Sequence, residues 1–367
     1  MSNPPLTGIR IIELAGIGPG PFAGMMLADH GAEVIRVERP GGVKGGPDSA
    51  AETDILLRGR TRVEIDLKSE AGRAQLRTLV ATADGLIEGY RPGVTERLGL
   101  GPDQMLALNP RLVYGRMTGW GQTGPLSPTA GHDINYIAIS GVLHAFGRAG
   151  DAPVPPVNLV GDFGGGGMML AFGMLAALLH ARATGEGQVV DAAMTDGSAL
   201  LATMLHTFMA QGSWQDQRGV NILDTGAHFY EVYETSDGKH MAVGAIEPQF
   251  YAELLSRLDL ADDPEFRAQL DAGAWPHLKT RLTEVFRQKT RTEWTAIFDG
   301  SDACVAPVLS LREAGEHPHN RARATFVEAD GITMPAPAPR YSKSTTRTPS
   351  LSQTLVPLEQ ILAPLPD

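Results

Sequence analysis

Over roughly the first 190 residues, short runs of aliphatic and β-branched residues alternate with helical stretches. Ile9–Ala15 (IRIIELA) reads as a buried strand, Pro21–His30 as a helix and Ala32–Glu38 (AEVIRVE) as a second strand, which together make a βαβ unit. Further strands are expected at Thr61–Asp66, Gly85–Glu88 and Leu112–Met117, with a helix over Ala71–Ala83. This rhythm predicts an α/β fold built on a large, doubly wound, Rossmann-like sheet of mostly parallel strands. Gly164–Ala183 reads as a core helix, followed by a strand at Gln188–Ala192 and a long apolar helix over Ser198–Gln211.

The pattern changes after about Gly212. Phe229–Thr235 and Lys239–Ile246 alternate like strands around the turn Ser236-Asp237-Gly238. Helical periodicity then covers Pro248–Leu258, Trp275–Gln288 and Thr292–Phe298, the signature of a smaller α+β domain. Pro335-Ala336-Pro337-Ala338-Pro339 and the Ser/Thr/Arg stretch after it read as an extended connection. The expected organisation is a large α/β domain over 1–193 and a linking helical region over 194–229. A small α+β domain over 230–314 and a linker over 315–340 follow. A C-terminal segment, 341–367, returns to the large domain with a short helix at Leu355–Leu362.

With 43% hydrophobic and 20% charged residues, the 367-residue chain can bury a substantial core. A net charge of −11 argues against a nucleic-acid surface or an anionic membrane as partner. That charge is unevenly spread, because the first 100 residues hold 12 basic against 13 acidic side chains. A single cysteine, Cys304, excludes an internal disulfide framework and a Cys-cluster metal site, so no metal is expected. MSNPPLTGIR has no signal-peptide pattern and ILAPLPD carries no lipidation or peroxisomal address. The uncharged stretch Phe163–Ala181 is marginal in length for a membrane span, and its glycine-rich start reads better as a loop entering a buried helix. The expectation is a soluble cytoplasmic protein.

Gly18, Gly20 and Ala23 after the first strand fit the G-x-G-x-x-A form of a dinucleotide fingerprint, with Glu38 closing the second strand. Pro19 and Pro21 weaken that reading, because proline removes N–H groups that a phosphate cradle uses. A Gly/Pro turn packing helix on strand ranks ahead of an NAD site. Three other segments set ionisable residues beside glycine or at element ends: Gly131-His132-Asp133-Ile134-Asn135-Tyr136, Asn158-Leu159-Val160-Gly161-Asp162-Phe163, and Gly244-Ala245-Ile246-Glu247-Pro248. Alone, each has an ordinary explanation: a core histidine, a helix N-cap and a strand-end charge.

Together the segments closely resemble the α-methylacyl-CoA racemases of the class III CoA-transferase superfamily. The resemblance runs through ELAGIGPGP near the start, EGYRPGVTERLGLGP at Glu88–Pro102, RMTGWGQTGP at Arg116–Pro125 and GHDINY at Gly131–Tyr136. It continues through NLVGDFGGG at Asn158–Gly166, GQVVDAAM ending at Met194, VGAIEPQFY at Val243–Tyr251 and SDACVAPVL at Ser301–Leu309. Transferases of the superfamily share the Asp162 segment but generally lack GHDINY and the Glu247 block. The resemblance implies an isomerase of fatty-acid and lipid metabolism that interconverts (2R)- and (2S)-2-methylacyl-CoA thioesters. His132 and Asp162 are its implied acid/base pair, with Glu247 orienting His132 or raising its basicity. Implied CoA contacts are Arg39, Ile65, Asp66, Leu67 and Lys68, then Gly89, Tyr90, Arg91, Pro92, Gly93 and Arg97, and finally Gly131, Asp133, Ile134, Asn135 and Tyr136. CoA is part of the substrate, so no separate cofactor is implied. The family fold implies an interlocked homodimer, with each active site between the large domain of one chain and the small domain of the other. The sequence departs from the family at Asp224-Thr225-Gly226-Ala227-His228, where two glycines and a proline are usual, which bears on acyl-chain preference.

Inverting a carbon next to a thioester requires removing its α-proton from one face and returning a proton to the other. A histidine and an environment-tuned aspartate fit that demand. Acid/base catalysis supplies roughly 10²–10⁴-fold, so the enolate oxygen must also be stabilised. The glycine-entered helix after Asp162 is the expected source of free N–H groups. Arg58, Arg60, Arg62 and Lys68, with Arg36 and Arg39 nearby, read as a solvated face, or as an anion-binding edge given the resemblance. Met168, Met169, Met194, Met204 and Met209 flank the site segments and suit a varied apolar tail or plain helix core. The rival reading is a class III CoA-transferase in which Asp162 attacks the thioester and forms an acyl-aspartyl anhydride.

Overall fold

The computed structural model describes residues 3–41, 53–351 and 355–362; the first two residues and 363–367, read above for targeting signals, lie outside them. The chain divides into two compact units. One comprises Met1–Ser140, Val157–Leu201 and Pro318–Asp367, the other Gly141–Pro156 and Ala202–His317.

Six parallel strands form the first unit: β1 (Arg10–Leu14), β2 (Glu33–Glu38), β3 (Arg60–Glu64), β4 (Gly85–Glu88), β5 (Val113–Thr118) and β6 (Gln188–Ala193). Their order is β3-β2-β1-β4-β5-β6, the doubly wound arrangement, which reverses direction between β1 and β4. All six lie within a residue or two of the segments expected from sequence. The pleat sends alternate residues to opposite layers. Ile11, Val34 and Val113 pack with Leu27 and Met174 on one face. Ile12, Ile35 and Leu86 pack with Leu76, Leu79 and Ile361 on the other.

The covering helices of this unit are α1 (Pro19–Asp29), α2 (Glu70–Val80), the short α3 (Val94–Arg97), α4 (Pro102–Leu108) and α5 (Asp133–Ile139). After α6 (Val142–Ala145) in the second unit, the chain returns through a π-helical run, Leu159–Met168, that passes directly into α7 (Met169–Thr184). The expected core helix at Gly164 therefore begins five residues earlier and is wound differently at its start. The glycines allow close crossing with α8 (Met194–Leu201), where Gly197 meets the Gly165 backbone. Only one face of α7 is core: Leu170, Met174 and Ala177 are buried, while Phe172 and Leu179 are each 70% exposed. The expected single helix over Ser198–Gln211 is two helices, broken at Ala202.

The second unit holds α9 (Thr203–Ala210) and an antiparallel sheet of β7 (Tyr230–Glu234), β8 (His240–Gly244) and β9 (Val305–Pro307), in that order. Helices α10 (Pro248–Arg257), α11 (Trp275–Phe286), α12 (Arg291–Phe298) and α13 (Leu311–Ala314) accompany it. Phe229, Tyr233, Leu254, Phe286 and Trp294 build its core. Gly141–Pro156, assigned from sequence to the large domain, belongs here. Arg148 pairs with the buried Glu231 at 2.7 Å, and Gly219 packs on the Arg148–Ala149 backbone.

The expected linker over 315–340 carries α14 (Pro318–Ala322) and a hairpin of β10 (Phe326–Ala329) and β11 (Ile332–Pro335). Its turn, Asp330-Gly331, has φ of 52° and 75°, the geometry a two-residue Asp-Gly hairpin turn requires. Beyond it Val356 donates its N–H to the Arg62 carbonyl at 2.9 Å, and Ile361 of α15 (Leu358–Leu362) joins the first unit's core.

Candidate active site

The loops that leave the carboxyl ends of β1, β2, β4 and β5 enclose a cleft of about 860 Å³ in the first unit. It lies where the strand order reverses, the usual ligand position in an open α/β sheet. Of the residues expected at the site, His132, Asp162, Arg39, Gly89, Tyr90, Arg91, Pro92, Gly131 and Tyr136 line it.

His132 is the N-cap residue of α5, and its backbone N–H donates to the Asn135 side chain at 3.0 Å. Asn135 thus serves this cap, and Ile134 is exposed beside it. Tyr136 stacks edge-on against Trp120 at 4.7 Å between ring centres, and its hydroxyl donates to the Gly131 carbonyl. Gly119 and Gly131 leave the room that ring needs.

Asp162 occupies the first turn of the π-helical run. Its N–H donates to Asp133 Oδ1 at 2.7 Å, and its Oδ2 accepts from Asn158 Nδ2 at 3.0 Å. Burial, the largest influence, pushes the Asp162 carboxyl above its ordinary range; the Asn158 bond opposes the rise, Asp133 adds to it and His132 opposes it. Asp133, expected to touch CoA, has a buried side chain that holds the Asp162 backbone N–H. The glycines after Asp162 lie inside the helical run, so they are not the free helix-start donors that the sequence suggested for an enolate.

The arginine edge is also different from expectation. Arg36 bonds Glu13 and Glu38, Arg60 bonds Glu13, Arg62 bonds Glu38, and Arg58 bonds Asp29. Arg58 and Arg60 are only 2% and 4% exposed. Arg36 on β2, Arg60 and Arg62 on β3 and Arg58 just before it share a largely buried ion-pair network, and the arginines that line the cleft among the described residues are Arg39 and Arg91. Ile65 is a core residue and Leu67 packs against that core. Asp66 accepts the Lys68 N–H at the entry to α2, and Lys68 is exposed. Gly93, at φ 81°, is the N-cap of α3, with Arg97 folded back over it. None of these six is among the described residues lining the cleft.

Glu247 is the N-cap residue of α10 in the second unit. The two departures from the family pattern differ in burial, Thr225 being only partly buried. His228 is fully buried, bonded to the Tyr251 hydroxyl at 2.7 Å, and desolvation lowers its pKa to about 4. Thr225 takes a left-handed backbone, φ 74°.

Several cleft residues stand within the quoted segments but were given no role at the site from sequence: Ile17, Asn158, Trp120 and Phe163. The Gly/Pro loop after β1 lines the cleft as well. Gly18 begins α1 with φ 66° and ψ −117°, and lies against the Asp162 carboxylate.

A family model described as CoA-transferase family III matches residues 6–358. The α-methylacyl-CoA racemase of Mus musculus is 49% identical over 357 residues, covering 96% of this chain and 91% of the relative. The α-methylacyl-CoA racemase of Homo sapiens is 47% identical over 335 residues, covering 91% and 86%. A solved CAIB/BAIF family protein from Brucella suis superposes with a TM-score of 0.83 at 28% identity, covering 96% of this chain and 97% of that one.

Proposed function

Since the chain belongs to CoA-transferase family III, we propose that it inverts C2 of 2-methyl-branched acyl-CoA thioesters, with His132 and Asp162 exchanging the proton. It is an isomerase of the α-methylacyl-CoA racemase type. The observation that carries the site assignment is that His132 and Asp162 line one cleft, with the carboxyl of Asp162 raised by burial.

The raised carboxyl suits a group that must both take and return a proton. A carboxylate that holds its proton more tightly is a better base, and its protonated form is more populated for the return step. In one direction Asp162 removes the α-proton and protonated His132 delivers one to the opposite face. In the other direction the roles exchange. Arg39 and Arg91 serve the CoA phosphates at the cleft. The donor for the enolate oxygen comes from outside the glycine run. CoA arrives on the substrate, so the reaction needs no further cofactor. On this reading the working form is a homodimer in which Glu247 of a second copy orients His132. The acidic net charge argues against nucleic acid and anionic membranes as partners.

The family also contains CoA-transferases, in which Asp162 would be the nucleophile. That chemistry leaves His132 without a task. Incubation of a single 2-methylacyl-CoA epimer in heavy water separates the readings. Deuterium at C2 and loss of stereochemical purity without an acceptor acid are expected, and Asp162→Asn should abolish both while thioester binding persists. Transfer of CoA to a free carboxylate with no exchange would overturn the racemase reading.

A further inference from the structure

The glycine/proline loop after β1 and the residue that opens the π-helical run meet at one atom, Asp162 Oδ2. Asn158 donates its amide N–H there at 3.0 Å. A Cβ on Gly18 would lie 3.3 Å from the same oxygen and 3.7 Å from the carboxyl carbon. Oδ2 is therefore held on one side by a donor and walled on another by bare backbone. The backbone N–H of Asp162 is tied to Asp133, which fixes the carboxyl's base.

From this geometry we infer that Asn158 and Gly18 are positioning residues that dedicate Oδ2 of Asp162 to anchoring and leave Oδ1 as the oxygen that exchanges the substrate proton. The inference rests on the acid/base reading of Asp162 and assigns that reading to one oxygen. A carboxylate free to rotate presents either oxygen to substrate, and a proton parked on the wrong one is unavailable to the enolate. The Asn158 N–H bonds a bare carboxylate oxygen more strongly than a hydroxyl oxygen, so it favours an unprotonated Oδ2 and biases the proton toward Oδ1. Gly18 contributes by having no side chain, since a β-carbon at this distance would press on Oδ2. Its backbone, at φ 66° and ψ −117°, also lies where only glycine is unstrained.

The charged groups whose fields reach Asp162 are Asp133 and His132, both from the start of α5, and Tyr136 of that helix feels Asp162 in turn. From α1, the facing element is the apolar Gly18–Pro19 corner, and Asp196 of α8 and Asp191 of β6 are not among the groups acting on it. Losing the Asn158 donor removes a hydrogen bond that favours the ionised carboxyl. The acid limb of the kcat/KM profile must then move to higher pH. It moves equally for both epimers, because the ratio of their kcat/KM values is fixed by the equilibrium between them.

The test compares Asn158→Leu, Asn158→Ser, Gly18→Ala and Asp162→Asn in the heavy-water exchange assay over a range of pH. For Asn158→Leu, kcat/KM on the acid side should fall roughly 10–100-fold, the worth of one hydrogen bond to a charged group. The acid limb should shift upward while KM for the thioester changes little, and Asn158→Ser, which keeps a donor, should recover part of the loss. Gly18→Ala should lower kcat, and combining it with Asn158→Leu should cost less than the product of the two effects, because both act on one oxygen. A uniform loss at all pH values, or wild-type behaviour of folded Asn158→Leu while Asp162→Asn is inactive, would overturn the inference. Exchange surviving in Asp162→Asn would instead overturn the acid/base reading beneath it.

Discussion

Thr225 is a β-branched residue at φ 74°, a backbone region that glycine enters freely and threonine does not. The conformation persists because its surroundings dictate it. Asp224 Oδ1 accepts the Asn221 N–H at 2.7 Å, and Lys279 bonds the Thr225 carbonyl while sitting 3.2 Å from Glu231. Strain of this kind costs about 1–3 kcal/mol, and glycine returns part of it through its larger unfolded-state entropy, about 0.5–1 kcal/mol. Thr225→Gly is therefore expected to raise stability by about 1 kcal/mol in chemical denaturation, with exchange activity unchanged. A destabilised variant would show that the threonine side chain contributes more than its backbone costs. Three residues further on, His228 shows why residue identity alone misleads. In sequence it is a polar intruder beside the family's glycines; in the fold its ring is closed off among Tyr251, Phe229 and Phe266 and is neutral.

At the scale of elements, periodicity carried the six parallel strands and most helices, because a doubly wound sheet buries continuous apolar strands that read plainly in one dimension. Three features were less legible. The π-helical start at Leu159 has no periodic signature over four glycines, so the position of Asp162 inside a helical turn had to come from the fold. The hairpin at Asp330-Gly331 did have its turn signal, but the proline run after it dominated the reading. The arginines on and beside β2 and β3 looked like an anion site because most of their carboxylate partners come from elsewhere: Glu13 from β1, Asp29 from α1 and, for Arg62, Glu38 from β2. His132 and Asp162 could be picked out because each sits in a short motif, and both line the cleft, whereas Asn158 and Gly18 acquire meaning only where two distant loops meet. The network supplies its own test. Glu13 is fully buried between Arg36 and Arg60, so Glu13→Gln leaves two buried guanidinium groups short of a counter-charge. Breaking a buried pair from one side costs about 3–5 kcal/mol, and denaturation should show a loss of that size. If the arginines instead served phosphate, the variant would keep its stability and bind CoA more tightly.

For the whole molecule, the question is what covers the apolar surface that the chain leaves exposed and how Glu247 enters the chemistry. The continuous helical run Leu159–Thr184 is apolar enough by composition to cross a membrane, yet its inner face packs on the sheet and its outer face shows Phe172 and Leu179. Leu200 and Leu201 of α8 are exposed in the same unit. A second copy of the chain is the occupant consistent with the reading in which Glu247 acts on a neighbouring His132. That arrangement makes a prediction no single chain can satisfy. Glu247→Gln and His132→Asn should each be inactive or nearly so when pure. Unfolded, mixed in equal amounts and refolded together, they should regain about a quarter of wild-type exchange, since half the dimers are mixed and each mixed dimer holds one intact site. Light scattering on the wild type should give twice the chain mass. A monomer, or a mixed preparation that stays inactive despite forming mixed dimers, would place Glu247 and His132 in the same chain's site or remove Glu247 from the chemistry altogether.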